Sequence, residues 1–127
     1  MVRNKNRIYL AFYARSGHDN YHVAILICPK NSKGIIWRLH VMNRPNPSLV
    51  TQQEWVYEYR TFIGRTSHLL ALGLLGKTEK SGEEMSEVLR GVEIVQDDIT
   101  WTCKSWALSA IEASPSPGFM YGLLLTD

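Results

Sequence analysis

The chain has 127 residues, of which 45% are hydrophobic and 20% charged, and a formal net charge of +2. That is the make-up of one folded domain with one core, and it excludes a disordered chain. Basic residues gather at Arg3, Lys5 and Arg7 and acidic ones at Glu79, Glu83, Glu84 and Glu87, so nothing resembles the aromatic-interleaved basic face that a nucleic-acid partner requires.

Arg7 to Ala14 is aromatic and β-branched and predicts a first strand. Its apolar part is stopped by Arg15, so the segment reads as mature protein, not as a leader peptide. Gly17, Asp19 and Asn20 mark Arg15 to Asn20 as a loop. Tyr21 to Cys28 predicts a second strand, Pro29 to Gly34 a turn, and Ile35 to Asn43 a third strand. Pro45 and Pro47 remove backbone donors and end the ladder. Glu54 to Ile63 alternates Trp55, Tyr57 and Tyr59 with Glu54, Glu58 and Arg60, which predicts a fourth strand with a helix as the alternative. Leu69 to Leu75 predicts a fifth, buried strand. It is the most apolar stretch of the chain and far short of the ~20 residues that span a bilayer.

The helices come late. Ser81 and Glu84 are spaced as a capping box, opening a helix whose apolar face is Met85, Val88 and Leu89 and which Gly91 ends. A second helix runs from about Thr102 to Ala113, with Cys103, Trp106, Ala107, Ala110 and Ile111 on one stripe. Ser114 to Gly118 stops it, and Phe119 to Leu125 predicts a last strand. Together these elements predict a single α+β domain over residues 1–127. Its core is an antiparallel β-sheet of five to six strands packed against two or three helices.

The chemistry is concentrated in His22, His40 and Cys103. A thiol is a weak nucleophile until its pKa is lowered, and a helix N-terminus and a nearby imidazole both do this. A hairpin turning near Asn31 and Ser32 places His22 either directly opposite His40 or diagonal to it, on one face in both cases. A slip of one residue would put them on opposite faces. Cys28 shares the face of His22 but lies six residues along the strand, roughly 20 Å away, and reads as a buried packing cysteine. Cys103 lies on the apolar stripe of its helix, which must pack on the sheet, and within the first turn, where Thr100 or Thr102 can cap. Each residue also has a plain structural role: Cys103 as inert core, each histidine as a satisfied polar group, Trp101 and Trp106 as core filling. Trp101 and Trp106 could instead line a substrate pocket. Asp97 and Asp98 could orient a histidine but read first as solvated capping carboxylates, and His18 and His68 receive no role.

The order of a histidine in Tyr21-His22-Val23-Ala24-Ile25-Leu26-Ile27, a second in Trp37-Arg38-Leu39-His40-Val41, and a cysteine in Thr102-Cys103-Lys104-Ser105-Trp106 resembles the circularly permuted papain-like fold. The families concerned are the lecithin retinol acyltransferases and the permuted NlpC-type proteins, and the match runs from about Tyr9 to Ile111. The run Val95 to Asp98 leading into Trp101-Thr102-Cys103 also looks like small fungal proteins. Thr102 stands where these families carry Asn, Lys104 and Ser105 replace their residues after the cysteine, and the acyltransferases' membrane-anchoring tail has no counterpart.

The resemblance implies acyl transfer. Cys103 would attack an amide, ester or thioester carbonyl, His22 would take the thiol proton, and His40 would fix the tautomer of His22. N–H groups at the first helical turn would bind the oxyanion, with Tyr13 or Tyr21 as further hydroxyl donors. No cofactor is expected, the substrate is a small molecule or peptide, and the two cysteines fit a reducing, cytoplasmic setting. Two alternatives remain: a non-catalytic binding or scaffold domain of the same fold, and a zinc site built from His22, His40 and Cys103.

Overall fold

A computed structural model describes residues 5–15, 21–31, 33–64 and 68–113. Five strands form one antiparallel sheet: β1 (Asn6–Ala14), β2 (Tyr21–Cys28), β3 (Ile36–Pro45), β4 (Gln53–Phe62) and β5 (Leu69–Thr78), in the order β4-β3-β2-β1-β5. Two helices follow, α1 (Gly82–Arg90) and α2 (Cys103–Glu112). The α+β class and the antiparallel sheet hold as expected, and the fourth apolar-polar alternation is a strand, not a helix. The last strand expected over Phe119 to Leu125 lies outside the described residues.

The pleat divides the sheet into two faces. One face, with Ile8, Val23, Ile25, Ile27, Leu39 and Val41, packs against Met85 and Leu89 of α1 and Cys103, Trp106, Ala107, Ala110 and Ile111 of α2. These side chains make the main core. The opposite face carries a smaller buried cluster of Ala11, Tyr13, Ala24 and Leu26. Arg38 lies over it, its guanidinium carbon 5.5 Å from the Tyr13 ring centroid and 6.0 Å from that of Phe62.

Both helices start as the sequence dictates. Ser81 Oγ accepts the Glu84 N–H, and Glu84 Oε1 accepts the Ser81 N–H. Gly82 is required here by close approach: a Cβ at that position would fall 2.2 Å from Cδ1 of Trp37. Tyr59 is stacked on the same indole, at 5.0 Å between centroids, so Trp37 holds the start of α1 against β3. In α2, Thr102 is the cap, accepting the Lys104 N–H on its Oγ1, while Ser105 Oγ accepts the Thr102 N–H.

Two expectations about burial are corrected. Leu69 to Leu75 is not a buried strand: β5 is a sheet edge, and Leu70, Leu72 and Leu74 are 61%, 47% and 52% exposed. Its apolar run reads as two-sided burial, but β5 pairs only with β1 among the described strands. Cys28 is half-buried, not a core cysteine, because it ends β2 on the face away from the helices. The other edge, β4, is guarded by Gln96, whose side chain accepts the Trp55 N–H and donates to the Trp55 carbonyl, like one residue of an extra strand.

Candidate active site

The hairpin of β2 and β3 takes the even register. Ile25 faces Leu39 and Ile27 faces Trp37, which makes His22 and His40 diagonal neighbours on the face of Ala24 and Leu26. Their rings meet edge to face, with His22 Nε2 2.7 Å from His40 Nδ1. The next pairing extends the contact: β3 and β4 set His40 opposite Glu58, and His40 Nε2 lies 2.9 Å from Glu58 Oε1. That same oxygen accepts Arg60 Nε at 3.1 Å.

The chain of bonds fixes the protons by elimination. An ionised carboxylate only accepts, so His40 Nε2 carries hydrogen and, in the neutral ring, Nδ1 is bare. That bare nitrogen accepts from His22 Nε2, which leaves His22 Nδ1 as a free lone pair. Glu58 is thus a member of the site, although its sequence pattern marks it only as a polar residue in the β4 alternation. The signal was present in the loop centred on Leu49, which pairs His40 with Glu58 by the same counting that pairs the histidines.

Burial lowers the pKa of His22, with help from the positive charges of His40, Arg15 and Arg38, to about 4. Burial also lowers that of His40, against the opposing hydrogen bond to Glu58. Desolvation works against ionisation of Glu58, but its hydrogen bonds from His40 and Arg60 outweigh it and hold the carboxyl below its usual range. The resting state is therefore carboxylate, neutral imidazole, neutral imidazole.

This has a consequence for stability. The unfolded chain binds a proton at His22 near pH 6.5, while the folded chain resists until about pH 4, so the unfolded state holds more protons between those values and stability rises with pH there. Expected is a thermal midpoint that is level above pH 6.5 and falls as the pH drops toward 4, with a shallower fall in His22→Ala. Circular-dichroism melts at fixed ionic strength measure it, and a midpoint unchanged from pH 7 to pH 4.5 would contradict the assignment.

Cys103 is the first residue of α2 and is buried. It packs with Val23 and Ile25, on the face of the sheet opposite the imidazoles, and makes no hydrogen bond to either ring among the described residues. Cys103 is also among the residues that line a pocket of about 340 Å3, the thiol pocket, with Tyr21, Trp55, Trp101, Thr102 and Lys104. The imidazoles line a second pocket of about 230 Å3. Arg15, Asn43 and Trp55 line both, so the two pockets adjoin at the Tyr21 end of β2.

The remaining candidates separate clearly. Trp101 lines the thiol pocket and meets Trp55 edge to face at 5.8 Å. Tyr21 lines the same pocket, with Lys104 Nζ 4.7 Å from its ring centroid. Tyr13 is buried directly opposite His22 in the β1–β2 pairing, on the imidazole face. Trp106 lines neither of these two pockets: its stripe position points it inward, it is fully buried, and it packs against Tyr57. Asp97 and Asp98 fasten loops, accepting from Thr51 and Thr100 respectively, and orient no histidine. The zinc arrangement of His22, His40 and Cys103 is not formed. Among the described residues no group of three His, Cys, Asp or Glu side chains is arranged to hold a metal ion, and the facing nitrogens of His22 and His40 bond each other.

No helix of the described chain is long and apolar enough to cross a membrane. No curated protein and no solved structure matches the sequence. Residues 5–123 match a family of unknown function, DUF6914, and the chain belongs to that family.

Proposed function

We propose that this domain is a cysteine-dependent acyl-transfer enzyme of permuted papain-like type, with Cys103 as nucleophile and His22 as base. The observation that carries the proposal is the Glu58–His40–His22 relay, which leaves His22 with one free nitrogen lone pair beside a pocket. In the reaction Cys103 Sγ bonds the carbonyl carbon of an amide, ester or thioester, and the thiol proton passes to His22 Nδ1. His22 then gives that proton to the leaving group as the tetrahedral intermediate collapses to a thioester. Water or another acceptor cleaves the thioester, its proton taken by the same nitrogen. His40 positions His22, and Glu58 stabilises the imidazolium that forms.

The cap narrows the choice of oxyanion donor. Thr102 takes the Lys104 N–H, whereas the Cys103 N–H has no acceptor among the described residues. The Cys103 N–H, at the positive end of α2, is the donor the reading assigns.

One observation favours a second reading, a binding domain without catalysis: the pleat puts Cys103 and His22 on opposite faces. In the catalytic reading thiol and imidazole meet across the rim lined by Arg15, Asn43 and Trp55. Iodoacetamide at pH 6 with peptide mapping distinguishes the two. Burial pushes the Cys28 thiol up to about 11, so Cys28 is the slow internal standard. Alkylation of Cys103 at least about tenfold faster, lost in His22→Ala, supports the enzyme. Equally slow labelling of both cysteines establishes the binding domain.

A further inference from the structure

The thiol pocket is lined by charges of both signs. Asp97 and Asp98 line it, and each is already engaged: Asp97 Oδ1 accepts the N–H and hydroxyl of Thr51, and Asp98 Oδ1 those of Thr100. Arg15 and Lys104 line it too, and neither has a carboxylate partner among the described residues. Arg15 is half-buried. A half-buried guanidinium presents five donors in a planar fork, the geometry that two carboxylate oxygens fill. The Tyr21 ring holds Lys104 at the pocket wall, one residue after the nucleophile.

We propose that the acyl substrate carries a carboxylate, bound by Arg15 at the rim shared by the thiol and imidazole pockets, with Lys104 adding a second positive charge. Arg15 lines both pockets, so an anion seated on it lies at their junction. The bound anion also offsets the charge by which Arg15 disfavours a protonated His22, easing proton transfer from the thiol. This inference rests on the acyl-transfer reading, and its test separates the two.

The test compares alkylation of Cys103 by iodoacetate, an anion, with alkylation by iodoacetamide, its neutral isostere. The readout is the ratio of the two rates, mapped to the Cys103 peptide. A ratio cancels effects of a variant on thiol reactivity that both reagents share. Expected is a ratio that falls about tenfold in Arg15→Gln, the low end of focusing by a charged cleft, that falls with added salt, and that is kept in Arg15→Lys. A ratio unchanged in Arg15→Gln, with Cys103 still reactive, overturns the carboxylate site and leaves acyl transfer standing. A Cys103 that reacts with neither reagent overturns both.

Discussion

Replacing Trp106 by alanine is expected to cost about 3–5 kcal/mol of folding stability, a large part of the roughly 5–15 kcal/mol available to a domain. The indole has no exposed surface and sits where α2 crosses β2 and β3, against Tyr57. Removing it opens a cavity that the surrounding Ile25, Leu39 and Val41, held in the sheet, cannot close. Trp106→Phe is the informative control. Trp106 Nε1 is buried with no acceptor among the described residues, so the phenyl ring recovers a desolvation penalty of about 1–3 kcal/mol while losing part of the packing. Its net cost is expected to stay within about 1.5 kcal/mol. Urea unfolding followed by tryptophan fluorescence measures both, and a Trp106→Ala variant within about 1 kcal/mol of the parent would contradict the packing described.

Most of the fold was legible because local chemistry decided it. The capping box at Ser81 and the α2 stripe each act within a few residues, and α1 and α2 follow them, whereas β3 overruns its expected end at Asn43, with Arg44 and Pro45 still paired to Glu54 and Gln53. The hairpin count reduced the shared face of His22 and His40 to a choice of register, even or odd, which the pairing of Ile25 with Leu39 decides as even. Glu58 was reachable by the same count applied to the next hairpin; it was missed because a glutamate alternating with aromatics on a strand has a sufficient explanation as the solvent side. β5 failed for a related reason. An uninterrupted apolar run reports hydrophobicity and not how many neighbours the strand has, and the sheet order that leaves β5 at an edge is a long-range property. The side of the sheet on which Cys103 lies relative to the imidazoles was equally unreadable, because it depends on how α2 returns to the sheet after the 12-residue connection from α1.

The largest functional effect is expected from Glu58→Gln, and it follows from counting hydrogens. In the native site the carboxylate forces hydrogen onto His40 Nε2, and each ring passes the constraint on until His22 Nδ1 is bare. A glutamine offers His40 an N–H donor as well as an oxygen. When the amide donates, His40 Nε2 must be bare, His40 Nδ1 carries the hydrogen and donates to His22 Nε2, and His22 is left with its hydrogen on Nδ1. The base is then blocked with every heavy atom in place. General-base assistance contributes roughly 10²–10⁴-fold, so the reactivity of Cys103 at pH 7 is expected to fall by about 10²-fold or more. The fold should tolerate the change, since Glu58 is isosteric with glutamine and its side chain is 29% exposed. Nitrogen-15 spectra of the imidazoles read the cause directly: His22 Nδ1 unprotonated in the parent and protonated in the variant. If the tautomers exchange as expected while Cys103 alkylates at the parental rate, the relay is structural and the thiol acts without it. If neither changes, Glu58 does not set the protonation of the pair.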